Sequence, residues 1–223
     1  MRRRIADAAD NAQRDPQRIE LLAVSKTFDA CAVIDAAGAG QYAFGENYLQ
    51  EALDKMASIR ALQPELKLAW HFIGPIQSNK TRQIAEHFDW VHSVDREKIA
   101  QRLSDQRPPE LPPLNVCLQV NISGEATKSG ATPAELPELA RQVAALPNLR
   151  LRGLMAIPEA QTDPALQRAA FARLRQLADS LRADGLTIDT LSMGMSGDMA
   201  SAILEGATIV RVGSAIFGLR NYD

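Results

Sequence analysis

Short apolar runs recur along the chain, with helical stripes between them. The runs cover residues 19–26, 41–47, 69–74, 90–95, 114–122, 149–157, 190–195 and 208–217. Several are apolar at both odd and even positions, the pattern of a parallel strand buried on two faces. The segments between them carry helix signals. "TPAE" at 132–135 reads as a capping box with Pro133 at the first helical position. Leu136, Leu139, Val143 and Leu146 follow at helical spacing. Asp163 and Pro164 open another helix, with Leu166, Ala170, Leu174, Leu177 and Leu181 on one stripe and Gly185 at its expected stop. Ser196 is expected to cap a helix through Ala202 and Ile203 that ends near Gly206. Pro108, Pro109, Pro112 and Pro113 form a stiff connector into the fifth strand.

Eight strands alternating with helices predict an α/β fold: a single (β/α)8 barrel of the TIM type, spanning 1–223 as one domain. An extra N-terminal helix is expected at about residues 1–14. The alternative is an open doubly wound sheet. No G-x-G-x-x-G follows the first strand, which counts against a dinucleotide site. No domain linker, repeat or low-complexity tract interrupts the pattern.

Composition narrows the class. Apolar residues make up 46% and charged residues 23%, an ordinary globular balance. A net charge of -2 gives no pull toward nucleic acid or an acidic membrane. The opening "MRRR" lacks the apolar stretch of a signal peptide, and no run has the length of a membrane span. A soluble, cytoplasmic protein is expected. Cys31 and Cys117 give no disulfide framework or zinc spacing. His71, His87 and His92 form no ligand pattern and read as structural or solvated.

The barrel gives the remaining anomalies an address, because active sites of such folds lie at the C-terminal ends of the strands. Lys26 ends the first strand. It is either a solvent-facing terminus or an amine of lowered pKa able to form a Schiff base. After the seventh strand, "SMGMSGDMASAI" offers backbone N–H groups at Ser196 and Gly197. After the eighth, Gly213 allows close backbone approach and Ser214 adds a hydroxyl. Ordinary turns use the same residues. Both loops, however, fall where barrels commonly bind phosphate. Arg211, between Val210 and Val212, should point into the barrel. It then pairs with a carboxylate such as Glu46 or Glu20, or hydrogen-bonds a ligand. A lysine, a phosphate cradle and an arginine at one mouth fit pyridoxal 5'-phosphate. The aldehyde would meet Lys26, the phosphate Ser196, Gly213 and Ser214, and the ring nitrogen Arg211.

The motifs "AVSKTF", "FGENYLQE", "WHFIGPIQSNKTR", "SVDREKIA", "QVNIS", "GLMAIP", "LSMGMSGDM" and "RVGSAIFG" occur in order from residue 19 onward. In them the chain resembles the pyridoxal phosphate homeostasis protein family. The resemblance implies one barrel like the N-terminal domain of alanine racemase, with the cofactor in Schiff-base linkage to Lys26. It implies Ser196, Gly213 and Ser214 at the phosphate and Arg211 at the ring nitrogen. It further implies Asn47 and Met155 lining the pocket, with His71 and Phe72 near it. Gly197 departs from the alanine or acidic residue expected there and leaves the loop backbone open. The implied role is to sequester and buffer pyridoxal phosphate and deliver it to apoenzymes, without substantial turnover.

A guanidinium at the ring nitrogen weakens the ring as an electron sink, which also suits a carrier. The alternative is a small amino-acid racemase, which needs a second base. Tyr42, Tyr48 and Tyr222 are the tyrosines available, and Tyr48 is expected to pack at a helix start. A third reading is a Schiff-base aldolase for a sugar phosphate, with Glu46 as acid–base group. The segment "QSNKTRQIAEHFD", with Gln77, Lys80 and Arg82, is either a solvated helix start or a surface for an anionic ligand or client protein. A monomer is expected.

Overall fold

The computed structural model describes residues 1–124 and 129–218. Eight parallel strands close into a barrel in sequence order: β1 (Glu20–Val24), β2 (Ala43–Glu46), β3 (Ala69–Phe72), β4 (Trp90–Val94), β5 (Leu114–Gln119), β6 (Leu149–Met155), β7 (Thr190–Ser192) and β8 (Ile209–Val212). β1 pairs with β8, so no strand edge is left open. Helix α1 (Arg2–Asn11) precedes the barrel. The outer ring follows as α2 (Ala30–Gly38), α3 (Leu49–Leu62), α4 (Thr81–His87), α5 (Glu97–Gln106), α6 (Leu136–Ala144), α7 (Pro164–Ala183), α8 (Met199–Leu204) and α9 (Ser214–Phe217).

Side chains alternate between two layers. Leu22, Ala43 and Ile209 cluster with Ile73 and Trp90 inside the barrel. Leu21, Ala23, Val210 and Val212 join the large apolar layer under the helices. Period-two alternation therefore turns Arg211 inward.

Each predicted run contains one strand, but the runs overshoot at their C-terminal ends. Residues 208–217 were expected to be one strand. The strand stops at Val212, and the chain turns at Gly213 into α9. Apolar residues after the turn, Ile216 and Phe217, pack on the outer layer and mimic a strand.

The helix signals fare unevenly. The Asp163 carboxylate caps α7, accepting from the Ala165 N–H at 2.8 Å, and Pro164 is the first helical residue. Gly185 follows with φ of 93°. Thr132 and Glu135 make the reciprocal bonds of a capping box, at 3.0 and 3.3 Å, yet α6 begins only at Leu136. Pro137 has no N–H to bond to residue 133, so the first helical turn is not completed there. Ser196 does not cap α8. Asp198 is the N-cap, and its carboxylate turns back to accept from the Met195 N–H at 2.6 Å.

Candidate functional site

A cavity of about 640 Å³ opens at the C-terminal ends of the strands. Val24 and Lys26 reach it from β1, and Asn47 and Ile73 from the ends of β2 and β3. Ile157 lies beyond β6, and Met195, Ser196 and Gly197 lie beyond β7. Arg211, Gly213 and Ser214 come from β8 and the turn after it. Six of the seven sequence-predicted site residues thus meet in one space. Met155 does not line it. It is fully buried, in register with Gln119 and Ser192 on the neighbouring strands. Ile157, two residues on, takes the wall position. Phe72 faces away, edge-on to Phe88 in the helix layer at 5.3 Å.

Close backbone packing shapes the walls. A Cβ at Gly74 would sit 2.3 Å from the Asn47 carbonyl oxygen, so only glycine lets the end of β3 lie on that of β2. Gly194 has φ of 95°, and a Cβ there would come 2.5 Å from Ala202. The loop after β7 therefore folds tightly onto α8, and the Gly194 carbonyl accepts from the Arg211 N–H at 2.9 Å. The N-terminal segment, α1 and the residues just after it, braces this loop and α8 from outside. Arg4 donates to the Ser196 carbonyl at 3.3 Å, and Arg14 to the Ile203 carbonyl at 2.7 Å.

Arg211 is 4% exposed and meets no carboxylate at hydrogen-bond distance among the described residues. It donates to Ser192 Oγ at 2.8 Å and to the Ala156 carbonyl at 3.0 Å. These bonds occupy two of the five guanidinium N–H groups and fix the plane. Burial lowers its pKa to about 10, which leaves it cationic at neutral pH. Glu46, one of the two carboxylates considered as its partner, lies instead on the outer side of β2, bonded to Lys55 at 2.6 Å and to Ser25 at 2.6 Å. That engagement also removes it from the acid–base role of the aldolase reading.

Beneath Arg211 runs a buried polar chain that the sequence analysis missed. Ser192 Oγ meets His92 Nδ1 at 2.7 Å, and His92 Nε2 meets His71 Nδ1 at 2.9 Å. His71 stacks on Trp90 and ends the chain, since its Nε2 has no hydrogen-bond partner. Burial depresses the His71 pKa to about 3. The His92 value falls well below the usual range through burial, with His71 and Arg211 adding to it. Both imidazoles are neutral at pH 7. Two histidines at the inward positions of adjacent strands were the available signal.

The Asn47 Oδ1 atom is buried with no hydrogen-bond partner, on the cavity wall. A buried acceptor left this way is costly unless a ligand serves it. The cavity therefore offers a lysine amine, a fixed guanidinium, two small-residue loops and an unserved acceptor. That set suits a small anionic ring compound with an electrophilic carbon. Among the described lining residues there is no carboxylate and no tyrosine. Tyr48 precedes α3 and is 55% exposed rather than packed. Tyr222 lies outside the described residues. The segment around Gln77 and Lys80 is stitched to α5, with the Ser78 carbonyl accepting from Arg102 at 3.0 Å.

The family described as the alanine racemase N-terminal domain matches residues 1–221. A "Pyridoxal phosphate homeostasis protein" of Pseudomonas aeruginosa is 65% identical, over 98% of this chain and 92% of that one. The protein of the same name from Escherichia coli K12 is 54% identical, over 100% of this chain and 95% of its own length. The structure of PipY from Synechococcus elongatus PCC7942 with PLP bound superposes with a TM-score of 0.82, at 39% identity. The match covers 96% of this chain and 100% of that one.

Proposed function

The chain belongs to the alanine racemase N-terminal domain family and, within it, to the pyridoxal phosphate homeostasis proteins; from that premise we propose that it binds pyridoxal phosphate at the barrel mouth and keeps it for exchange. In this reading it is a cytoplasmic monomer, one domain over 1–223, that sequesters and buffers the cofactor and delivers it to apoenzymes. The observation that carries it is the convergence of Lys26, Arg211, Ser196, Gly213 and Ser214 on one cavity whose wall also holds the unserved Asn47 oxygen.

Lys26 would hold the cofactor as a Schiff base. The cofactor would supply an electrophilic aldehyde carbon there, and Lys26 the amine that condenses with it, releasing water. Ser196, Gly213 and Ser214 would hold the phosphate through hydroxyl and backbone N–H groups. Asn47 would accept from a ring hydroxyl. Met155 has no direct contact in this reading and supports the floor. Arg211 would donate to the ring nitrogen and keep it unprotonated, because a guanidinium does not readily give up its proton. A ring so held stabilises a carbanion weakly, and the described lining residues include no carboxylate or tyrosine to act as a second base. Storage follows more readily than turnover.

The test is the absorption spectrum of protein loaded with pyridoxal phosphate, before and after borohydride reduction, with peptide mapping. A visible band that reduction fixes on Lys26, and that Lys26→Ala lacks, is expected. Protein that stays colourless with excess cofactor would remove the reading. Delivery predicts that loaded protein activates an apoenzyme faster than the cofactor's spontaneous release allows. Activation no faster than release would leave storage without transfer.

A further inference from the structure

A second lysine stands behind the first. Lys55, on α3, is 5% exposed. Its ammonium donates to the Ser25 carbonyl at 2.8 Å and to Glu46 Oε1 at 2.6 Å, and it lies 3.1 Å from Glu51 Oε1. Glu46 Oε1 also accepts from the Ser25 hydroxyl at 2.6 Å. Glu51 Oε1 accepts from the Thr27 N–H at 2.6 Å. The cluster thus grips the residue on each side of Lys26: Ser25 by its carbonyl and hydroxyl, Thr27 by its amide.

Between those grips the backbone is strained. Thr27 has φ of 69°, the left-handed region that a β-branched residue enters at a cost of about 1–3 kcal/mol. Such a conformation persists only where its surroundings over-determine it. Stability does not account for the cluster either. A buried ion pair returns little net energy after desolvation. Glu46 Oε2 is left without a partner, and burial raises the Glu46 pKa despite the adjacent ammonium.

We propose that Lys55, Glu46 and Glu51 are positioning residues for Lys26, holding the turn at Ser25 and Thr27 so that the Lys26 amine enters the cavity in bonding geometry to an aldehyde held there. This rests on the reading of Lys26 as the attaching amine. The cluster then governs how fast the covalent link forms, while the loops after β7 and β8 govern whether the phosphate binds.

Glu51 is the residue to vary, because it is partly exposed and its loss leaves the buried Lys55–Glu46 pair intact. Covalent uptake of pyridoxal phosphate is followed by stopped-flow absorbance. Non-covalent affinity is measured with pyridoxine 5'-phosphate, which has an alcohol in place of the aldehyde. Glu51→Ala is expected to slow covalent uptake about tenfold while affinity for the alcohol stays within about twofold. Glu51→Gln, which keeps an acceptor for the Thr27 N–H, should restore most of the rate. Uptake by Glu51→Ala at the wild-type rate would overturn the proposal. So would a proportional loss of affinity for the alcohol, which would make the cluster a support of the whole site. Wild-type protein that binds the alcohol but forms no link at Lys26 would sink the underlying reading and this proposal with it.

Discussion

Acid should destabilise the fold through the histidine pair beneath Arg211. The folded His71 takes a proton only near pH 3, against an ordinary value of 6.5. The unfolded chain takes one below 6.5. Between those values the unfolded state binds more protons, so stability falls as pH falls. Each such group contributes a slope of up to about 1.4 kcal/mol per pH unit. For His71 the loss between pH 7 and pH 5 is about 2 kcal/mol. His92, held low by burial, His71 and Arg211, adds a loss of the same sign. Glu46 and Glu20 act in the opposite direction, because burial raises their values and the folded state binds their protons first. The total pH profile therefore mixes signs, and a difference measurement isolates His71. Urea unfolding of wild type and His71→Phe, both free of cofactor, would be compared at pH 7, 6 and 5. Phe keeps a ring against Trp90 and leaves a roughly pH-independent penalty of about 1–3 kcal/mol for the partner lost by His92. The gap between the two proteins should move by about 2 kcal/mol in the variant's favour on going to pH 5. A gap that stays constant across this range would refute the assignment of a buried, neutral His71.

Gly74→Ala should destabilise by about 2 kcal/mol or more, because its Cβ would sit 2.3 Å from the Asn47 carbonyl oxygen and force two strand ends apart. Thermal unfolding reads the loss, and pyridoxal phosphate uptake should fall with it. Unchanged values for both would show that the strand ends are not packed as described. Ser192→Ala should cost about 1–3 kcal/mol by denaturant unfolding, since it strips a buried partner from both Arg211 and His92. Ser192→Thr, which keeps the hydroxyl, should cost less; equal losses would mean that bulk matters there rather than the hydrogen bonds.

The barrel was legible because its strands alternate with helices at regular intervals and carry apolar residues on both faces. Lys26, Asn47, Ser196, Arg211, Gly213 and Ser214 were legible because strand ends and the turns beyond them define the mouth of such a fold. Met155, the other expected residue, is fully buried and does not line the cavity. Ile157, beyond the end of β6, reaches the cavity. Partners of charged side chains were the least legible. One of the two readings of Arg211 paired it with Glu46 or Glu20, yet Glu46 faces the helix layer and binds Lys55. That contact joins residues nine apart across a strand and the helix after it, and nothing in the local pattern marks it. The side-chain cap expected of Ser196 is not made: Asp198 holds the N-cap position, and its carboxylate accepts from the Met195 N–H instead of a helix N–H.

The brace between α1 and the loop after β7 bears on the order in which the molecule can be made. Arg4 reaches Ser196 across 192 residues, and β1 pairs with β8 along four registered positions. Lys26 lies in the turn after the first strand, whereas Arg211, Gly213 and Ser214 belong to the last strand and the turn after it. A nascent chain still inside the ribosome therefore has the amine long before it has the guanidinium or the second loop. It can form local βα pairs, but the cavity exists only after β8 has been released and has slotted between β7 and β1. Closure of so long a loop is slow relative to local pairing. The binding pocket is thus the last part of the barrel to mature, and cofactor uptake during synthesis would report completion of the barrel.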